Sequence, residues 1–151
     1  MRRADREIID RDLIDKMILS ESVVRLGLID NGKPYVVPMS FGYDGKAFYF
    51  HSALEGRKIG ALKKSPYASF ELDKPGELQT GSVACAYSIK FESVIGDGKV
   101  EFINDDNEKK YALNLLMAHY TDKGDYDFPP NALSSVCCFK LIVENISMKK
   151  K

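Results

Sequence analysis

The chain has 151 residues, 44% hydrophobic and 29% charged, which suits one domain spanning residues 1–151 with a real core. Lysine plus arginine balances aspartate plus glutamate at 22 each, which excludes both a global basic field for nucleic acid and an acidic, disordered composition. Three cysteines, Cys85, Cys137 and Cys138, form no even set and no zinc spacing; they read as small buried thiols of a cytoplasmic chain rather than as a disulfide framework.

The opening MRRADREIIDRDLIDKM carries acids throughout and no apolar core, which argues against a signal peptide. No apolar run approaches the ~20 residues that span a bilayer. Ile8, Ile9, Leu13, Ile14 and Met17 recur at helical spacing, so residues 5–19 are expected to form a packing helix. A first strand follows at 23–29, with Gly27 marking a close approach by another backbone or a ligand. Asn31-Gly32 and Asp44-Gly45 are hairpin turns, because each supplies a residue tolerant of positive φ. The strands 23–29, 35–43 and 47–50 are therefore expected to meander antiparallel.

Pro38 interrupts the second of these. A central strand would lose a ladder hydrogen bond there, so a bulge, an open edge or a facing ligand is expected. Residues 55–64 read as a short helix ended by Ser65-Pro66. Residues 67–72 read as a strand, and 73–81, with Pro75-Gly76, as a mobile loop. The alternation Val83, Cys85, Tyr87, Ile89, Phe91 predicts a long strand over 82–103, with a bulge or barrel corner near Gly96 and Gly98. A helix over 104–121, capped by Asn104 or Asp105, an irregular loop over 122–131 and a last strand over 136–146 complete the chain. The tail 149–151 reads as a frayed, solvated end. About six strands with a few flanking helices describe a small antiparallel barrel.

Chemistry concentrates near one strand end. His51 and Ser52 close the strand 47–50, and Arg57 and Lys58 open the next helix. A hydroxyl, two cations and a helix N-terminus suit a phosphate; a solvated helix face is the competing reading. His119, near a helix end, reads as a surface or dipole-compensating residue. No nucleophile elbow, P-loop or dinucleotide glycine motif is present. Two histidines without clustered carboxylates argue against a metal site.

PYVVPMSF and YFHSALEGRKIGALKKSP within residues 34–66, with ESVIGDGKVEFI at 92–103, resemble the pyridoxamine 5'-phosphate oxidase-like FMN-binding split-barrel family. Within it they are most similar to the 5-nitroimidazole resistance proteins. The resemblance implies a mainly β fold with flanking helices, a six-stranded antiparallel split β-barrel, and a homodimer with FMN at the subunit interface. It places Val37, Pro38, Met39 and Ser40 along the isoalloxazine, His51 and Ser52 near the ribityl chain and phosphate, and Arg57 and Lys58 on the phosphate. Ser93 matches a polar position that reaches the flavin from the long strand. It implies an oxidoreductase acting on a small planar acceptor such as a nitroimidazole. His51 is then either a proton donor or substrate contact, or only a hydrogen-bonding partner of the cofactor. A flavin or haem carrier and a deazaflavin-dependent reductase are the alternatives. The sequence departs from the oxidase proper in having Ser40 where that enzyme has a basic residue, and in an ending, NISMKKK, without its Arg- and Trp-rich segment.

Overall fold

The structure is a computed structural model that describes residues 4–151. Residues 1–3, part of the N-terminal stretch read above against a signal peptide, lie outside the described residues. The elements are β1 (Glu7–Ile8), α1 (Arg11–Ser20), β2 (Val24–Asp30), β3 (Lys33–Met39), β4 (Gly42–Tyr43), β5 (Ala47–Ser52), α2 (Arg57–Lys64), β6 (Tyr67–Gln79), β7 (Ser88–Ile103), α3 (Asp106–Thr121), α4 (Pro130–Ser134) and β8 (Cys137–Lys150). Among the described residues, no helix is long and apolar enough to cross a membrane.

One antiparallel sheet of eight strands runs in the order β3-β2-β6-β7-β8-β5-β4, with β1 on β8. The strand count is eight rather than six because β1 and β4, two residues each, are too short to read from alternation. The two ends of the sheet, β3 and β4, are joined in the chain by Ser40 and Phe41 alone. Three Cα steps cannot exceed roughly 11 Å, so the sheet must curl until its free edges meet. The expected three-strand meander is thereby corrected: β2 pairs β3 and β4 pairs β5, but β3 has no partner across the split.

Alternation fills the barrel. Val24, Leu26 and Leu28 of β2 and Ala68, Phe70 and Leu72 of β6 point inward and are buried. They surround an aromatic centre in which Phe48 lies 4.8 Å from Phe70 and 5.4 Å from Phe41, and Phe50 lies 5.0 Å from Phe139. A register shift between Asp97 and Gly98 provides the corner expected from the paired glycines. A Cβ on Gly98 would stand 1.9 Å from the Ile142 carbonyl oxygen, so no other residue fits without displacing β8.

Several boundaries differ from expectation. α1 starts at Arg11, six residues later than expected, because the Asp10 side chain caps it by accepting from the amides of Asp12 (3.0 Å) and Leu13 (3.4 Å). Residues 73–79 are strand, since Pro75-Gly76 makes a bulge within β6 rather than a turn. Residues 82–87 are loop and a 3-10 turn at Ala84–Ala86, despite their alternation. The last strand continues through the basic tail, where the Lys151 amide donates to the Phe91 carbonyl at 2.9 Å.

The Asp44 turn carries a pH prediction. Burial pushes its carboxyl up, but the amides of Lys46 and Ala47 and the Tyr49 hydroxyl donate to it at 2.8–2.9 Å and hold it below its ordinary value. A depressed carboxyl stabilises the fold above the ordinary carboxylate range and loses that contribution as pH falls through the folded value. Thermal midpoints followed downward from neutral pH should fall more steeply for the wild type than for Asp44→Asn below pH about 4. Parallel curves would remove this role.

Candidate functional site at the barrel split

The site forms where the two free edges meet. Phe41 buries its ring in the core and donates its amide to the Tyr120 hydroxyl (3.1 Å), which donates in turn to the Ser22 carbonyl (2.6 Å). Asp105 caps α3 by accepting from the Glu108 amide at 2.9 Å. The helix then lies directly on β4. A Cβ on Gly42 would stand 2.7 Å from the Leu115 carbonyl carbon and the Leu116 nitrogen, so glycine permits this approach. His119 is not a surface histidine: its Nε2 bonds the Glu21 carbonyl at 2.8 Å and its ring lies 4.5 Å from Phe41.

On one side of the split, β5 ends at Ser52 and the chain turns at Gly56, whose φ of 133° disfavours any side chain. Gly56 caps α2 without a side-chain bond, so the first amides of α2 have neither helical nor side-chain acceptors. Lys58 projects from this turn. Its Nζ lies 3.0 Å from Met39 Sδ, and no carboxylate pairs with it among the described residues. Burial pushes this ammonium below its ordinary value, while the nearby Cys137 thiol acts the other way. Cys137 pairs in register with Ser52; burial pushes its thiol up, against the opposing influence of Lys63, Lys109 and Lys58. Lys58, Lys63 and Lys109 all bear on the Cys137 thiol, so the corner carries several cations. A partly desolvated ammonium beside free helix amides fits a phosphate group.

Arg57 points elsewhere. Its Nε donates to Asp30 at 2.8 Å and its guanidinium covers the Tyr35 ring at 4.1 Å. Its two terminal nitrogens make no hydrogen bond among the described residues.

On the other side, His51 has the outward parity of Ala47 and Tyr49, toward α3. A cavity of about 440 Å³ opens there, lined by Ser40, His51, Leu113, Leu116, Met117, Tyr120 and Phe128.

The split thus brings together Met39, Ser40, His51, Ser52 and Lys58. Pro38 lies exposed on β3, opposite Arg25. The register there has no shift, so the open edge, not a bulge, accommodates the proline. Val37 is half-buried against the core. Ser93 pairs with Lys149 and lies ten residues along β7 from Ile103, whose pairing with Cys138 marks the level of the site. That is roughly 30 Å within one chain. Sequence reasoning missed Gly42, Leu113, Met117, Tyr120 and Phe128. A signal available in the sequence is Phe128, a large apolar ring in the loop over 122–131.

Residues 10–150 match the pyridoxamine 5'-phosphate oxidase family. Among solved structures, the chain is similar to a proposed 5-nitroimidazole antibiotic resistance protein from Bacteroides thetaiotaomicron, at 35% identity over 95% of this chain and 86% of that one, with a TM-score of 0.86. An FAD- and haem-binding protein from Mycobacterium smegmatis shares the fold at 18% identity, covering 97% of this chain and 73% of that one, with a TM-score of 0.86. The flavocytochrome Anf3 from Azotobacter vinelandii does so at 19% identity, covering 100% and 72%, with a TM-score of 0.85. No curated protein sequence matches the chain. With nearly its whole length matched and a barrel split between β3 and β4, the chain belongs to the flavin-binding, pyridoxamine 5'-phosphate oxidase-like split-barrel family.

Proposed function

We propose that this protein is an FMN-dependent oxidoreductase that reduces a small planar acceptor of the nitroimidazole kind. The observation that carries the reading is Lys58: a half-buried ammonium whose polar neighbour is a thioether, at the uncapped start of α2 and on the split of a flavin-binding fold. Lys58, the first amides of α2 and the Ser52 hydroxyl hold the cofactor phosphate. Arg57 adds its terminal nitrogens while Asp30 fixes its position. The stretch Val37, Pro38, Met39 and Ser40 lies along the ring system, where the unpartnered side of β3 offers backbone groups. When bound, the flavin supplies the electron transfer. His51, free of hydrogen bonds among the described residues, orients the acceptor and delivers a proton to it.

The working form in this reading is a cytoplasmic homodimer, with FMN between the subunits and Ser93 contributed by the second copy. The exposed Ile29, Val36, Tyr67 and Ile95 on the outer face of β2, β3, β6 and β7 support such an interface. Gly27 belongs to the same face, where a Cβ would meet only ordinary contacts within this chain.

The test is anaerobic: FMN-loaded protein is chemically reduced, mixed with a panel of nitroaromatics and followed by flavin absorbance. Reoxidation should be fast in the wild type and slow in His51→Ala, with FMN affinity similar in both. If no compound in the panel reoxidises the bound flavin faster than free flavin, the protein is a carrier and not a reductase.

A further inference from the structure

The cavity beside His51 has a chemical character of its own. Leu113, Leu116 and Met117 of α3 and Phe128 of the following loop form apolar walls, and no lysine, arginine, aspartate or glutamate lines it. Three polar residues reach it. The Tyr120 hydroxyl is already committed, donating to Ser22 and accepting from Phe41, so this residue presents its ring. The Ser40 side chain bonds the Tyr120 hydroxyl, His51 makes no hydrogen bond among the described residues, and both come from the barrel side of the cavity. The volume, about 440 Å³, is that of a site for a small organic ligand. Met39 and Ser40 separate this cavity from the Lys58 corner: Met39 faces the ammonium and Ser40 lines the cavity.

We propose that this cavity is the acceptor pocket, and that it selects an uncharged aromatic molecule of one or two rings with one hydrogen-bonding end, with Met117 and Phe128 as specificity determinants. The acceptor role rests on the flavin reading above; the selectivity rests on the cavity alone. The hydrogen-bonding end meets Ser40 and His51, and the ring lies between Met117 and Phe128. An anionic acceptor would surrender its hydration to a wall that returns no charge. The protein therefore discriminates against phosphorylated and carboxylated aromatics, although its cofactor corner is built for an anion.

The experiment measures binding of p-nitrotoluene and p-nitrobenzoate, which share ring and nitro group and differ in one charge, by calorimetry on cofactor-free and on FMN-loaded protein. In both forms p-nitrotoluene should bind more tightly by about tenfold or more. Met117→Lys should reverse that order, with FMN affinity and the circular dichroism spectrum unchanged. Phe128→Ala, in a loop whose loss of side chain does not threaten the core, should weaken p-nitrotoluene several-fold and provides the check if Met117→Lys does not fold. Equal affinities for the two ligands, or an unchanged order in Met117→Lys, would overturn the proposal. So would competitive displacement of p-nitrotoluene by FMN, which would make the cavity the bed of the flavin ring. Failure to bind FMN with the neutral preference intact would instead overturn the flavin reading and uphold the selectivity.

Discussion

Replacing Lys58 by alanine should weaken FMN binding by ~1.5–3 kcal/mol, the range of a charge-assisted hydrogen bond. Three features support a value inside that range. The ammonium is partly buried, and burial already pushes it below its ordinary value, so in the free protein it is incompletely solvated. No carboxylate pairs with it among the described residues, so an incoming phosphate need not displace a competing anion. The α2 amides beside it keep part of the site in place when the lysine is gone, which sets the ceiling on the loss. Riboflavin, which has no phosphate, should bind the wild type and Lys58→Ala with similar affinity. The pair of titrations separates a phosphate contact from a general disturbance. An unchanged dissociation constant for FMN would remove Lys58 from the site.

Gly42→Val should destabilise the protein by about 3 kcal/mol, at the upper end of overpacking costs. The atoms a Cβ would strike are the backbone of α3 at Leu115 and Leu116, 2.7 Å away. A side chain can rotate out of such a clash; a helix held at Tyr120, His119 and Gly42 can only shift as a body. The shift would pull Leu113, Leu116 and Met117 away from His51, so the variant should also lose p-nitrotoluene binding. FMN affinity should change much less, because α2 and Lys58 lie on the other side of the split. Chemical denaturation gives the first quantity and calorimetry the other two. Wild-type stability in Gly42→Val would mean that α3 does not sit on β4 as described.

Parts of this molecule are legible in its sequence because backbone chemistry leaves few choices. Asn31 and Gly32 adopt φ of 49° and 76°, and Gly45 adopts 87°; the hairpins follow directly from residues able to do so. The Gly96–Gly98 corner is legible for the same kind of reason, since a Cβ at either position would enter a neighbour. What alternation cannot reveal is which strands are neighbours. Residues 35–43 read as one continuous strand, yet the chain passes from one edge of the sheet to the other at Ser40 and Phe41, and closure of the barrel is a property of the whole sheet. Residues 82–87 alternate as well as any strand, but Gly81 and Ala86 pack together around a 3-10 turn. The basic tail looks solvated because lysine stems and heads cannot be told apart in a sequence; in the fold its backbone joins β7, and Lys149 pairs with Ser93.

The candidate site divides in the same way. Ser52 and Lys58 of the corner and His51 of the cavity all fall within residues 51–58, so their chemistry is readable as a local pattern. Arg57 was visible too, but its Asp30 and Tyr35 partners come from the opposite hairpin, and their pairing depends on where α2 docks. The cavity wall comes from α3, more than sixty residues later, and reaches His51 only because Gly42 admits the helix.

The most direct test of the central claim is the absorption spectrum of the purified protein, with mass identification of whatever small molecule it releases on denaturation. A flavin spectrum and the mass of FMN are expected. A Soret band with haem released, or protein that remains colourless and binds no FMN when saturated with it, would rule out FMN as the cofactor.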